Sequence, residues 1–514
     1  MMRNIRNLCI ILGDQLNHDS LIWQHFDPNQ DIAWMAEVNE ESTHPISSKT
    51  RTVLFLAAMR HFAQQLEKQG ITVYYLHISL QLKSFTEALQ KTFTELHPKA
   101  IHCVLPGDCR IKQQIGDFCQ TQSFKLQWLD DLHFFSTPDE FTSWLAGKKQ
   151  NRMEYWYRYL RKTRNILVDN KQQPLEGKWN FDKENRKSFS KQSPPPKNAP
   201  LKLHQSSIVK SVISDINQYL PDLPGQLTHF NWPINRQQAL QALNDFIENR
   251  LPFFGDYQDA MWTNQAWLYH SLLSSSLNLK LLNPREVVTL AEAAYRQGKA
   301  PINAVEGFIR QILGWREYIR GLYWANANKW LNFNFFHTEK PLPDFYWTGK
   351  TNMTCLQESI NQVLNQGYGH HIQRLMVTGL FALIWGSKPV AVHQWYLAMY
   401  VDAVAWVEIP NTIGMSQFAD GGVVGSKPYI ASGAYIDRMS NYCCHCPYNP
   451  KQAHGDSACP FTTLYWHFIS QHIVWLAKHP RLAMQVKNWK NKPKDIQKQI
   501  ILRAKWLNKN IDQI

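Results

Sequence analysis

Four cysteines fall within seventeen residues near the end of the chain, in NYCCHCPYNPKQAHGDSACPF: Cys443, Cys444, Cys446 and Cys459. Three of them, Cys443, Cys446 and Cys459, make a C-x2-C-x12-C pattern. Two thiolates three positions apart can grip a metal from one tight loop, and a third returns after the excursion; a tetrahedral centre then wants a fourth donor. Cys355, Cys444, His445 and His454 are the candidates. Spacing alone leaves a structural zinc and an iron–sulphur cluster both open, with unligated cysteines as the bland alternative. Cys9, Cys103, Cys109 and Cys119 read as small buried hydrophobes. An odd total of nine argues against a disulfide framework.

Histidine and arginine supply the next candidates. GYGHHIQRLMVTGLFALIWG sets His370 and His371 at the start of a very apolar helix, beside glycines. A lone histidine there reads as a satisfied core residue; an adjacent pair at a helix start reads as a site. The helix dipole disfavours imidazolium at that end, so a neighbour is needed to keep either ring protonated. GFIRQILGWREYIRG carries Arg310, Arg316 and Arg320 at near-helical spacing. Such a face either binds phosphates through guanidinium forks or forms a salt-bridged helix surface. Trp395, Tyr396 and Trp406 lie in an aromatic helix that ends in a polar, glycine-containing loop, and by themselves are core residues.

These residues need elements to hold them. Residues 1–135 alternate strand and helix patterns: NLCIILGD, DIAWMAEV, ITVYYLHI, KAIHCVLPGD and LQWLDD are strands, with helical stretches between them. Alternation of this kind implies parallel pairing in a doubly wound α/β sheet, whose ligands sit beyond the carboxyl ends of the strands. LGDQ at 12–15 occupies the first such end. Residues 136–234 change character and are expected to be an interdomain connector; 177–200 is rich in Lys, Pro and Ser. From 235 to 514 helical patterns dominate, including RQQALQALNDFIENRL, DAMWTNQAWLYHSLLSSSL and NPREVVTLAEAAYRQG, so the second domain is a large all-α unit.

Bulk properties narrow the class. The chain has 514 residues, enough for two or three domains, and its 44% hydrophobic content excludes a disordered composition. A net charge of +14 favours a polyanionic partner, most often nucleic acid. The start MMRNIRNLCIILGD lacks the long apolar core and cleavage site of a secretory leader. The apolar run at 375–385 is too short to cross a bilayer. A soluble, cytoplasmic monomer without a membrane role is expected, kept reduced by its compartment.

Several segments together resemble one family: GDQL, AEVNEESTH, AAMRHF, GKWNFD, FIRQILGWREYIRG, GYGHHIQRLM, WVEIPNTIGMSQFADGG, KPYIASGAYI and the cysteine loop. In this order they resemble the iron–sulphur bacterial cryptochromes and photolyases, which include the prokaryotic (6-4) photolyases. The resemblance implies a [4Fe–4S] cluster on Cys355, Cys443, Cys446 and Cys459, with Cys444 a bystander. It implies a bent FAD in the helical domain, held by Tyr257, His270, Ser274, Arg310, Asp402 and either Glu408 or Asn411 at flavin N5. It implies 6,7-dimethyl-8-ribityllumazine as antenna in the α/β domain, near Gly13, Asp14, Gln15 and Glu37. Trp347, Trp395 and Tyr396 match the family's electron relay. The implied activity is light-driven repair of UV-damaged DNA at (6-4) photoproducts, with His371 as proton donor and His370, Tyr429 and Tyr435 lining the lesion pocket. A cryptochrome-type photoreceptor with the same cofactors is the alternative, and a zinc-stabilised nucleic-acid binder without photochemistry the second.

Overall fold

Five short apolar segments form one sheet: β1 (Asn7–Ile10), β2 (Ile32–Ala36), β3 (Val73–Leu76), β4 (Ala100–Val104) and β5 (Lys125–Leu129). The computed structural model describes residues 5–148, 151–190, 192–196 and 199–514. The basic start of the expected α/β domain and three short pieces of the expected connector lie outside the described residues. The order is β3-β2-β1-β4-β5 and every pairing is parallel, as the strand–helix alternation requires. Side chains alternate in direction along a strand. Leu8, Ile10, Trp34, Ile101 and Cys103 therefore pack on one face under the Phe85–Leu96 and Cys109–Thr121 helices. Cys9, Ile11, Ala33 and Met35 pack on the other, against the Lys49–Lys68 helix and the body of the molecule. Both faces are buried, which is why these strands read as continuous apolar runs. Cys9, Cys103 and Cys119 are buried as expected, while Cys109 is only half-buried at the first turn of its helix.

The connector differs from its expectation as a plain linker. It contains three helices, Pro138–Leu145, Met153–Arg164 and Ser207–Tyr219. Its basic composition hides narrow apolar stripes: Trp156, Tyr157 and Leu160 are fully buried, and Phe141 sits against Gly321, where a Cβ would overlap its ring. Even the Lys-, Pro- and Ser-rich stretch is pinned where it is described. Asn185 is buried and donates to Asn303 O at 3.0 Å, and Phe189 stacks on Tyr257 at 4.3 Å and 7°.

Beyond β5 the described residues hold helices and no further strand, as expected. One expected helix is not there. DAMWTNQAWLYHSLLSSSL is irregular until the short Ser274–Asn278 turn, with left-handed backbone at Asn264, Leu268 and Leu272. Its apolar pattern serves a wrapping loop, so tertiary contacts override the local helical period. The aromatic stretch at 395–416 is likewise two helices, Pro389–Met399 and Ala405–Ile409 with its continuation, parted at 400–404. Three long helices contain π-helical turns, at Arg310–Arg316, Arg374–Gly379 and Pro410–Ser416. Such turns put one extra residue into the spiral and recur at functional sites.

The tail of the α/β unit is stitched to the helices. Glu317, 1% exposed, accepts from Phe135 N and Ser136 N at 3.0 Å each and from Ser136 Oγ at 2.7 Å. Lys280 pairs with Asp131 at 2.9 Å, both buried. Arg316 and Arg320 lie over the Phe134 ring at 4.1 and 3.8 Å. The three arginines expected on one phosphate-binding or salt-bridged surface are thus buried, each engaged internally.

Candidate functional site

The helix over 371–385 begins where Gly367, at φ 66°, ends the Thr354–Gln366 helix. A Cβ there would lie 2.5 Å from Val401, so the turn needs glycine for both conformation and space. His370 is the extended residue before the helix and His371 its first member. The His370 ring is 3% exposed and stacks on His270 at 4.3 Å and 14°. Burial, then His270, His371 and Arg374, holds His370 well below the ordinary histidine value. Burial, Arg250 and His371 bring His270 down to about 3. His371 is exposed, and desolvation by the protein around it with the nearby Arg374 brings it to about 4. Both influences oppose its proton, so the chain alone holds this ring neutral at pH 7; the neighbour required to protonate it has to come with a bound anion.

Arg374 anchors the site. Its Nη atoms donate to both Asp402 oxygens at 3.0 Å, its Nε donates to Gly369 O at 2.6 Å, and its guanidinium lies 3.9 Å over Tyr400. Asn278 donates to Asp402 O at 2.7 Å and so ties the Ser274–Asn278 turn to the same point. Buried polar atoms with no hydrogen-bond partner include Ser275 Oγ, Ser276 Oγ, His270 Nε2, His370 Nδ1 and Glu408 Oε1. Buried polar groups are rarely left so. A set of hydroxyls, ring nitrogens and one carboxylate oxygen suits a polar, partly aromatic guest.

The other expected flavin residues are spread more widely. Ser274 starts the short turn and Tyr257 stacks on Phe189. Arg310 pairs with Asp182 of the connector at 2.7 Å. Glu408 is buried and bonded to His393 Nδ1 through one oxygen, leaving the other free. Asn411 is half-buried and donates back to Val407 O at 2.8 Å. Tyr435 lies on the Gly433–Met439 helix and Tyr429 just before it, both half-buried on the segment that leads into the cysteine loop.

A line of rings runs inward from the surface. Trp347 is 40% exposed; its neighbour Tyr346 is buried, 5.2 Å from Trp395 at 89°. Trp395 donates from Nε1 to Tyr346 O at 2.9 Å and contacts Tyr396 at 5.5 Å. Tyr396 meets Tyr400 at 5.1 Å and donates from its hydroxyl to Arg374 O at 2.6 Å. The line ends under the Arg374–Asp402 pair.

The cysteines converge from two distant segments. Cys355, Cys443, Cys446 and Cys459 all line one apolar cavity of about 310 Å³, counting its open mouth, with Met353, Ile436 and Phe461. Cys355 opens the Thr354–Gln366 helix and Cys459 precedes the Pro460–Gln471 helix. The excursion between Cys446 and Cys459 is pinned by Asn449, whose N–H donates to Ser457 O at 2.7 Å and whose carbonyl accepts from Cys459 N at 3.2 Å. A Cβ on Gly433 would stand 2.8 Å from Cys459 Sγ, so glycine clears the cavity wall. Cys444 is exposed and outside the lining. Among the described residues no three such donors converge on a single-ion point.

A second cavity, about 990 Å³ with its mouth, opens at the carboxyl ends of β1, β2 and β4, the topological switch point. Gly13, Asp14 and Glu37 line it, with Arg51, Asp108 and Arg110, and Leu397, Val404 and Ala405 close it from the helical half. Burial pushes Asp14 up to about 6. Gly107 is required there, because a Cβ would overlap the Asp14 carboxylate. Gln15 is not in the lining: it is 4% exposed and donates to Val104 O at 3.0 Å. The Glu37 oxygens are already used by Arg60 Nε and Nη2 at 2.7 and 2.8 Å and by Tyr75 Oη at 2.6 Å.

Sequence reasoning missed Arg374, Tyr400, His393 and Asn278. Arg374 lies inside the quoted GYGHHIQRLM, but its partner is 28 positions away, and nothing local marks the pairing.

A family model described as deoxyribodipyrimidine photo-lyase-related protein matches residues 9–232. A (6-4) photolyase of Agrobacterium fabrum (strain C58 / ATCC 33970) is 42% identical over 510 residues, 98% of this chain and 99% of that one. The fold is shared with a bacterial class III photolyase from Agrobacterium tumefaciens, at TM-score 0.55 and 14% identity over 97% of this chain and 92% of that one. It is shared also with a Synechocystis sp. PCC6803 cryptochrome, at TM-score 0.57 and 13% identity over 95% and 94%. With a relative of such identity spanning both chains almost end to end, this chain belongs to the cryptochrome–photolyase family, alongside its bacterial (6-4) photolyase.

Proposed function

We propose that the protein is a DNA-repair lyase that reverses (6-4) photoproducts under blue or near-UV light, with FAD as its photochemical cofactor. The observation that carries this reading is the His270–His370–His371 group held beside the Arg374–Asp402 pair, with unpartnered hydroxyls next to it, in a chain 42% identical to a (6-4) photolyase. When bound there, reduced FAD would supply the photochemistry, an electron lent to the lesion and returned. The chain's own residues do the rest. The Ser275 and Ser276 hydroxyls and the Arg374–Asp402 pair bind and orient the cofactor. Glu408, buried with one free oxygen, and Asn411, which uses one amide N–H on Val407 O, are the two candidates that would meet flavin N5. His371 would give a proton to the group that moves within the lesion; its ring is neutral on its own, and the negative charge of bound DNA phosphate would raise its basicity enough for it to carry that proton. His370, Tyr429 and Tyr435 line the space for the flipped base. The ring line from Trp347 through Trp395 and Tyr396 carries reducing electrons inward.

Two further groups fit residues on the page. The four cysteines that line one cavity supply the four thiolates a [4Fe–4S] cluster needs, and the family resemblance favours the cluster over zinc. The cavity at the strand ends suits 6,7-dimethyl-8-ribityllumazine, with Asp14 and Arg51 available to its polar chain. Damaged DNA is the partner that +14 net charge favours, and no helix among the described residues is long and apolar enough to cross a membrane.

The deciding experiment illuminates the reduced, cofactor-loaded protein with a (6-4)-containing oligonucleotide. Restored thymines are expected from wild type and about a hundredfold fewer per photon from His371→Ala, at unchanged flavin content. Full flavin reduction without repair would favour the photoreceptor reading; a colourless, metal-loaded protein would favour the zinc-stabilised binder.

A further inference from the structure

The cysteine cavity and the histidine pair are joined by one buried side chain. Gln373 is 3% exposed, in the first turn after His370. Its Oε1 accepts the His370 backbone N–H at 3.1 Å. Its Nε2 donates to Gln362 Oε1 at 2.9 Å and to the Tyr442 hydroxyl at 3.2 Å, while Gln362 Nε2 donates back to its Oε1 at 3.1 Å. The two amides thus form a reciprocal pair.

Both partners of Gln373 sit on cysteine-bearing segments. Gln362 lies on the helix that opens with Cys355, and its Nε2 also reaches Tyr368 O at 3.1 Å. Tyr442, 1% exposed, immediately precedes Cys443. The four cysteines fix how far apart these two segments stand, because all four line one cavity. That separation decides whether one glutamine amide can meet both.

We infer that Gln373 is a positioning residue that couples the cysteine loop to the histidine pair. Gathering the cysteines sets Tyr442 and Gln362; these orient Gln373; Gln373 fixes the His370 backbone and hence the direction in which His371 leaves the helix start. The chemistry requires an amide. Leucine would leave the His370 N–H and the Gln362 Oε1 unpaired in the interior, and glutamate could not donate to Gln362. The part concerning repair rests on the photolyase reading above; the coupling itself does not.

Two variants test it in the cofactor-loaded chain: Tyr442→Phe, which removes a single hydroxyl from a packed ring, and Gln373→Leu. Hydrogen–deuterium exchange is followed by mass spectrometry over peptides spanning 367–375. Exchange there is expected to quicken about tenfold in Tyr442→Phe and further in Gln373→Leu, with distant helices unchanged. Repair per photon of a (6-4) oligonucleotide is expected to fall about tenfold while affinity for that oligonucleotide stays the same. Unchanged exchange over 367–375 in both variants would overturn the inference, and so would acceleration spread evenly over the helical half. If wild type repairs no lesion, the photolyase reading fails, and the exchange measurement still decides the coupling.

Discussion

Buried side chains at this site are chosen for what they cannot do as much as for what they can. Trp395 is fully buried among Tyr346, Tyr396 and Tyr400. As a packing unit it could be replaced by phenylalanine at the cost of a small cavity and one hydrogen bond to Tyr346 O. As a relay member it could not, because a phenyl ring is far harder to oxidise than indole. Trp395→Phe is therefore expected to slow light-driven flavin reduction in the presence of an external reductant by at least about tenfold, while protein reduced chemically beforehand repairs normally. Absorbance during blue illumination checks this; undiminished photoreduction would return Trp395 to the core. Glu408 and His393 show the same economy. Two buried titratable groups satisfy each other on one side, which leaves a single carboxylate oxygen without a partner and available to a guest.

Helices here are shaped by close approach. The Glu317–Ala325 helix passes the Pro138–Leu145 helix at Gly321, with Phe141 lying where a side chain would be. Adding one methyl forces Phe141 or the whole connector helix outward. Gly321→Ala is expected to cost about 1–3 kcal/mol of stability, measured by denaturant unfolding; a neutral result would mean that the connector helix is free to shift. The π-helical turns act in the same register. At Arg374–Gly379 the extra residue lies between Arg374, which pairs with Asp402, and Gly379, whose missing side chain admits Tyr396 and Ser416 from the neighbouring helices. A regular helix over the same residues would turn one of these away from its partner.

Across the molecule, two interiors share one basic exterior. With +14 net charge, binding to any DNA should weaken steeply as salt rises, and specificity for the lesion has to come from the pocket. The interior has its own pH dependence. His133 is held at about 3 by burial and then by Arg316, and His370 well below its ordinary value by burial first. Both folded-state values lie under the unfolded value near 6.5, so below that pH the unfolded chain takes up protons that the folded one refuses. Each ring then withdraws about 1.4 kcal/mol of stability per pH unit, down to its folded value. The melting temperature of the loaded protein should be level at and above pH 7 and fall between pH 6.5 and 5. A midpoint that rose over that interval would contradict the burial of these rings.

Local pattern was enough to read the five strands, their parallel pairing, the cavity at their ends and the histidine helix, because hydrophobic period and turn residues are properties of neighbours along the chain. The cysteine spacing announced a centre but left its fourth member open; folding brings Cys355 beside a loop almost ninety positions away. The connector's helices escaped notice because each buries only one to three apolar side chains among polar and charged ones. DAMWTNQAWLYHSLLSSSL deceived in the opposite direction, since its apolar side chains pack from a loop. Arg374 with Asp402, and Gln373 between Gln362 and Tyr442, belong to the fold alone. A charge or an amide carries no mark of its partner until distant segments are packed together, and only then does burial make the pairing obligatory.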